Sequence, residues 1–296
     1  MSAIELSILV VSWNTRDLLR DCLRSALASL GGISSEIIVV DNDSADGSAE
    51  MVRREFALEP GVRLIANARN EGFARGNNQA YAAARGEFIA VVNPDIVFRG
   101  PVLGNMMDHL RSHANVGIVT CDLIGADGVS QSLHRRFPSL PIVFCRWTRV
   151  GRRLDQYLLG GWVTKRYRLL DIRRAGVAVI DQAAAACLLI ARRTVERIGG
   201  LFDERFPLFF NDVDLSRRVR EEGLEVHVLY DVSVMHHRGA SISQLPKGER
   251  KLEQYESLER YFAVHEAPWK ARLVRLMVAR NRRRAARAQT AAPREG

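Results

Sequence analysis

Three groups of residues have the types and spacing to do chemistry. At 89–100 the chain reads IAVVNPDIVFRG, so an apolar run breaks at Asn93-Pro94-Asp95 and resumes as Ile96-Val97-Phe98. Asn, Pro and Asp are common turn residues, and a plain turn is one reading. The other is that Asp95 stands at the carboxyl end of a parallel strand, where open α/β sheets place ligands. In FFNDVDLSRR, Asp212 lies near the start of an expected helix, just after Phe209-Phe210. It either caps that helix or, partly withdrawn from water by the aromatics, has a raised pKa and works as a general base. Asp214 would then pair with Arg217 or Arg218. His236 and His237 close an apolar run, where a histidine is either structural or a metal ligand. The chain contains no GxGxxG and no GxxxxGK[ST], so the two commonest phosphate-cradling loops are absent. Binding a nucleotide diphosphate without them usually requires a divalent cation, with phosphate and water completing its shell. Asp95, with His236 or His237, supplies the candidate ligands.

The elements that must hold these residues alternate over the first 120 positions. LSILVV (6–11), EIIVV (36–40), VRLIA (62–66) and EFIAVV (87–92) read as strands. Between them, 15–30, 46–56 and 73–86 read as helices, the first with Leu18, Leu19, Cys22, Leu23, Ala26 and Leu27 on one face. Such alternation predicts an α/β fold with a mostly parallel sheet covered by helices on both faces. Polar residues gather where strands end: Ser12-Trp13-Asn14, Asp41 to Ser44, Asn67 to Asn70, and Asn93-Pro94-Asp95. All four junctions should share one rim. The second half is less regular. Residues 134–175 read as a basic, aromatic surface excursion with few strands; regular pattern returns at 183–193, a short helix at 194–200, a helix at 211–223, and strands at 225–230 and 232–237.

The net charge of +9 on 296 residues is unevenly distributed. Residues 134–174 carry eleven Lys/Arg against two acids, and 270–296 carry nine against one, which leaves the rest of the chain at −8. An acidic body with two basic segments suits phosphate-bearing partners confined to those segments, and disfavours a general nucleic-acid binder. WKARLVRLMVARNRRR (269–284) places Trp269, Leu273, Leu276 and Met277 on one stripe among arginines, as in an interfacial helix or a packed terminal helix with a solvated basic face. The last seventeen residues are low in complexity and should fray. Four cysteines without a CxxC pair fit a reducing compartment. No leader pattern and no apolar run of about 20 residues is present, so a soluble or at most membrane-associated protein is expected.

Taken in order, VVSWN, VVDNDSADGS, NEGFARGNN, NPD, GGLFDERFPLFFNDVDL and HHRGAS resemble the inverting family 2 glycosyltransferases of the GT-A fold, and more narrowly their bacterial rhamnosyltransferase-like branch. The resemblance spans roughly residues 5–265. It implies a Rossmann-like, mostly parallel central sheet flanked by helices, with residues 1–120 as the nucleotide-binding half, 121–265 as the acceptor-binding half and 266–296 as a basic amphipathic tail. It further implies a nucleotide-diphosphate sugar donor, a divalent cation (Mg²⁺ or Mn²⁺) and inversion at the anomeric carbon. Ser12, Asn14 and Asp41 would line the base and ribose pocket, and Asn70 and Asn77 would extend it. Asp95 matches the last acid of the family's DxD metal element, whose first acid is replaced by Asn93, a nucleotide-sugar-binding candidate; Asp212 matches its general base and His236 its metal-binding histidine. The expected acceptor is a glycan or polyprenyl-diphosphate-linked glycan of cell-envelope polysaccharide synthesis, met in the cytoplasm or at the cytoplasmic face of an anionic membrane. Two positions depart from the pattern. Asn211 stands where an acid usually precedes the base, and Ala184-Ala185-Ala186 replaces a stretch that usually contains glycine. The first keeps a second reading in view, a non-catalytic nucleotide-sugar-binding protein of the same fold.

Overall fold

The computed structural model describes residues 3–290 apart from 238, 240 and 241. The first half alternates as its pattern predicts: β1 (Leu6–Ser12), α1 (Arg16–Ser29), β2 (Ser35–Asp41), α2 (Ser48–Glu55), β3 (Val62–Ala66), α3 (Phe73–Ala83) and β4 (Phe88–Val92). There follow β5 (Ile96–Phe98), α4 (Val102–Ser112), β6 (Val116–Ile124), α5 (Leu140–Trp147), α6 (Arg149–Tyr157) and α7 (Trp162–Tyr167). The chain continues through β7 (Val177–Ile180), β8 (Cys187–Ala191), α8 (Arg192–Arg197), α9 (Asn211–Glu221), β9 (Glu225–His236), α10 (Lys247–His265) and α11 (Pro268–Thr290).

Among the described residues the strands form one sheet in the order β3-β2-β1-β4-β8-β6-β9-β5, with β7 added to β9. The first four strands are mutually parallel, and their register sets Ser12 beside Asp41 and Asp41 beside Ala66. Their carboxyl ends therefore make one rim, as the four polar junctions require. The strands are apolar almost throughout because helices cover both faces. Ile8, Val10, Ile37 and Val39 pack toward α1 and α4, while Leu9, Val11, Ile38 and Val40 pack toward α3 and α9.

Two expectations change. The strands at 225–230 and 232–237 are one strand, β9, whose register on β6 jumps from Cys121↔Leu229 to Asp122↔Ser233. A bulge of this kind bends the strand. Beyond it, the last residues of β9 pair with β5, with Ile96 opposite His236. The excursion at 134–175 holds three helices, and the first is core. Val143 of α5 packs with Phe206, Val213, Leu258, Tyr261 and Phe262, and α11 adds Val274 and Val278 to the same cluster. The helix α11 is thus packed through its valines, while Trp269 and Leu276 face solvent. It stays helical through Thr290, so fraying is not seen over 280–290; positions 291–296 lie outside the described residues.

Because Val274 and Val278 are fully buried, trimming either to Ala is expected to lower unfolding free energy by about 1–3 kcal/mol. Leu276→Ala should change it by less than about 0.5 kcal/mol. Urea unfolding of the three variants checks this, and equal effects would mean α11 does not pack as described.

Candidate active site

Asn93 and Asp95 are held by backbone contacts from two directions. The Asn93 N–H donates to the Ala186 carbonyl (2.8 Å) and the Ile96 N–H closes the turn on the Asn93 carbonyl (3.2 Å). The His237 N–H donates to the Asp95 carbonyl (3.0 Å). Pro94 is buried in this turn. The turn sends β5 onto the bent end of β9, which brings Asp95 against His236. Both residues are about 5% exposed, and His236 Nε2 lies 3.5 Å from Asp95 Oδ1. His237 is exposed, so of the two candidate histidines the buried His236 faces the carboxylate. On its other side, His236 Nδ1 meets Gln131 Oε1 at 2.7 Å, an oxygen that can only accept, so Nδ1 carries a proton there and Nε2 is the ring nitrogen turned toward Asp95.

Among the described residues nothing makes a hydrogen bond to the buried Asp95 Oδ1. A buried carboxylate oxygen left without a donor is costly, and a cation is one remedy. Bonds of about 2.0–2.2 Å to one ion put two neighbouring ligands roughly 3.0–3.5 Å apart, which Asp95 and His236 satisfy. Among the described residues no cluster of three or more His, Cys, Asp or Glu has metal-binding geometry. The donor set fits an ion that takes its other ligands from phosphate and water. An open cleft of about 540 Å³ adjoins His236 and is walled by the loop from Gly125 to Gln131. Asn93 Oδ1 is also buried without a hydrogen-bond partner among the described residues.

At the base of the parallel half, Ser12 Oγ bonds Thr15 Oγ1 (2.9 Å), and the buried Asp41 accepts from the Ser44 N–H (3.2 Å). Burial raises the Asp41 pKa, against the hydrogen bonds from Ser44. Asn14 adopts φ 50°, and its side chain accepts from the Ala45 N–H (2.8 Å), tying the β1 junction to the β2 junction. These three residues form one group. Asn77 is buried in α3; its amide donates to the Phe73 carbonyl (2.9 Å), while its Oδ1 has no hydrogen-bond partner among the described residues. Asn70 is exposed and only braces its own loop, accepting from the Gly72 N–H (2.9 Å), so it is not brought into the Ser12–Asp41 cluster.

Asp212 sits in the first turn of α9 but is not its cap, since that position is Phe210 at φ 66°. A bulky residue in the left-handed region is a strained conformation of the kind that clusters at functional sites. The Asp212 carboxylate accepts from Gln182 Nε2 (2.8 Å) and from the Val213 N–H (2.8 Å), with the Ala185 N–H also bonded to it. Removal from water outweighs these donors and the nearby Arg135 guanidinium, and pushes the carboxyl up to about 6. Asn211 contributes no charge; its amide donates to the Leu208 carbonyl (3.0 Å). Asp214 takes the Arg218 partner rather than Arg217 (2.9 Å), and His265 Nε2 lies 2.8 Å away, so it anchors α9. The alanine stretch joins the two centres: Ala186 holds Asn93 and Ala185 holds Asp212.

Gln131, Gln182, Arg135, Tyr167 and His134 carry roles that their sequence positions do not announce. Arg135 and Gln182 pair through their backbones (3.2 and 3.1 Å), which brings the guanidinium toward Asp212. Burial lowers the Arg135 pKa to about 10. His134 accepts from the Ala184 N–H (3.2 Å) and reaches the Cys121 carbonyl (3.0 Å); burial drops its pKa to about 4, so it braces the alanine stretch as a neutral ring. Arg135 was hidden among eleven cations, and a lone glutamine in a loop has no signal of its own. Of the HHRGAS motif, positions 238, 240 and 241 lie outside the described residues.

The sequence model described as "Glycosyl transferase family 2" matches residues 7–174, more than half of the chain. The chain is 33% identical over 127 residues to the succinoglycan biosynthesis protein ExoO of Rhizobium meliloti, covering 43% of this chain and 36% of that protein. It is 25% identical over 230 residues to the N-acetylglucosaminyl-diphospho-decaprenol L-rhamnosyltransferase of Mycobacterium tuberculosis, covering 71% of this chain and 69% of the other. Besides the 36% of ExoO, it spans only 28% and 18% of the length of two further curated relatives. Among solved structures, the mannosyltransferase PcManGT of Pyrobaculum calidifontis aligns with a TM-score of 0.60 at 18% identity, over 100% of this chain and 77% of that one. The mixed sheet with its polar rim is therefore a GT-A fold, and the chain belongs to glycosyl transferase family 2.

Proposed function

We propose that this glycosyltransferase moves a sugar, rhamnose among the candidates, from a nucleotide-diphosphate donor to a hydroxyl of a glycan or polyprenyl-diphosphate-linked acceptor in cell-envelope polysaccharide synthesis, with inversion. The observation that carries it is the convergence of Asp95 and His236 in a turn bonded, through Ala186 and Ala185, to the pocket of Asp212. The relatives' names support the reading: one is a rhamnosyltransferase whose name gives a diphospho-decaprenol acceptor, and the mannosyltransferase was solved with GDP-Man and Mn²⁺.

Asp95 and His236 would hold a Mg²⁺ or Mn²⁺ ion, which when bound neutralises charge developing on the leaving diphosphate. The chain's own residues do the rest. Ser12, Asn14 and Asp41 receive the base and ribose, and the partnerless Asn77 and Asn93 oxygens accept further donor hydroxyls. Asp212, held by Gln182 and Val213, takes the proton from the attacking acceptor hydroxyl at its carboxylate. Its pKa near 6 leaves it ionised at neutral pH yet basic enough to accept that proton. The nearby Arg135 guanidinium favours its ionised form.

The reading is tested by calorimetric titration of UDP, GDP and dTDP sugars with and without Mn²⁺, followed by assay of transfer to lipid-linked glycans. Transfer from none of them would overturn it. Gln131→Leu removes the acceptor that orients His236 and is expected to weaken Mn²⁺ binding by roughly 10–100-fold. An unchanged Mn²⁺ affinity, read by competition with a chelating dye, would remove Gln131 from the site.

A further inference from the structure

Helix α6 is amphipathic the wrong way round for a soluble surface. An ordinary surface helix turns its apolar stripe to the core. Here Val150, Leu154, Tyr157 and Leu158 recur at helical spacing and are 69%, 37%, 75% and 75% exposed. The face that packs inward is Gly151 and Asp155. Gly151 is there because α6 crowds α5: a Cβ would lie 2.1 Å from the Phe144 carbonyl oxygen. Asp155 is buried, accepting from the N–H groups of Val163 (3.0 Å) and Thr164 (3.1 Å) in the first turn of α7. The apolar stripe continues through the connecting loop and onto α7, where Leu159 and Trp162 are 44% and 60% exposed. Apolar surface of this extent outside the core marks an interaction site.

Its charge identifies the partner. Over 146–170 the chain has seven Lys/Arg and a single acid, Asp155, which is buried. Arg146, Arg149, Arg152, Arg153, Lys165 and Arg166 are exposed, and the one acid just beyond them, Asp171, is paired with Arg136 (2.7 Å) and Arg166 (3.8 Å), so the charge shown to solvent around the stripe is predominantly positive. A second copy of this chain would set those cations against each other. A nucleic acid would match the arginines but leave the aliphatic stripe without a partner. An anionic bilayer satisfies both, taking the apolar side chains below its headgroups and the cations among them. No helix among the described residues is long and apolar enough to cross a membrane, so docking would be peripheral.

We infer that the α6–α7 hairpin is a docking surface for an anionic lipid bilayer. It is joined to the candidate catalytic pocket: Tyr167, at the end of α7, is buried beside Arg135 and Asp212, and the Arg136 N–H donates to its carbonyl (2.9 Å). A bilayer held at α6 and α7 would present a lipid-linked acceptor to the side of the molecule that carries Asp212, a consequence that rests on the function proposed above.

The test is co-sedimentation of the full chain with vesicles of phosphatidylglycerol and phosphatidylcholine, against phosphatidylcholine alone. Wild-type protein should bind the anionic vesicles and release them as salt rises. Leu154→Ser/Leu158→Ser/Trp162→Ser and, separately, Arg149→Glu/Arg152→Glu/Arg153→Glu should each lose at least roughly tenfold in partitioning, given about fivefold per surface cation. Both must keep wild-type nucleotide affinity, which shows that they fold. A Leu276→Ser/Arg283→Glu/Arg284→Glu variant of α11 should bind as wild type. The inference is overturned if the hairpin variants bind like wild type, if only the α11 variant loses binding, if wild type is a dimer that the apolar variant dissociates, or if wild type ignores anionic vesicles. Transfer to a soluble acceptor without vesicle binding would remove the docking surface and leave the function. Vesicle binding without transfer would do the reverse.

Discussion

Asp212→Asn should abolish most sugar transfer, by roughly a hundredfold or more, while leaving donor affinity intact. Asparagine keeps the size of the side chain and can still accept from the Val213 N–H, and the Gln182 amide can present its oxygen instead of its nitrogen. What it cannot do is take a proton at neutral pH. Asn211 removes the neighbouring carboxylate that could substitute. The pH dependence follows from the same burial. The wild-type kcat/KM should fall about tenfold per unit below pH 6 and level off above it, because the base must be ionised to act and its carboxyl is pushed up to about 6. The stability effect has the opposite sense. A carboxyl with its folded pKa above the ordinary 3.8 favours the fold when protonated. That contribution is fully present below the unfolded pKa and is lost as pH rises through about 6. At pH 7.5 the ionised Asp212 therefore burdens the fold, and the Asn variant should be as stable or more stable, by up to an order of 1–3 kcal/mol. A folded Asp212→Asn protein with near-normal transfer to an acceptor that wild type uses, or a rate profile flat from pH 4.5 to 8, would eliminate Asp212 as the base. Asp214→Asn is a contrast, because Asp214 is bonded to Arg218 and His265. Its loss should lower stability more than it lowers the rate measured on folded protein.

Asp95→Ala should weaken nucleotide-diphosphate binding at least roughly tenfold in Mn²⁺, since loss of residues that merely orient a ligand already costs 10–100-fold in metal affinity. In EDTA the variant and wild type should bind alike, because Asp95 would act through the ion and not on the nucleotide. His236→Ala should follow with a smaller loss, since water can take the place of a neutral ligand. His237→Ala should have little effect, because its side chain is exposed. Calorimetry in the two buffers separates the cases. An equal loss for Asp95→Ala in Mn²⁺ and in EDTA would exclude the metal role, and a larger loss at His237 than at His236 would contradict the assignment of the ligand.

By itself, the sequence determined the parallel half and its rim. Continuous apolar runs alternating with helical spacing can bury their surface only as strands between two helix layers, and polar residues placed where such strands end must share an edge. Ser12, Asp41, Asn93 and Asp95 were legible as candidates for that reason, and Asp212 because it opens a helix just after two aromatics. The tertiary structure decided everything that depends on distant partners. His236 was distinguished from His237 by Asp95 and by Gln131, 105 positions away, and the pKa of Asp212 is raised by burial that only the fold supplies, against the opposing hydrogen bond from Gln182, 30 positions away. Neither separation leaves a local trace. The excursion at 134–175 was opaque because its helices are short and rich in arginine, so the pattern could not say which apolar faces turn inward. Packing resolved it in both directions: α5 contributes Val143 to a core shared with α10 and α11, while Gly151 and Asp155 let α6 approach closely and leave its apolar stripe outside. Periodicity fixes which residues share a face, but only the neighbours that the fold supplies decide whether that face meets protein or solvent.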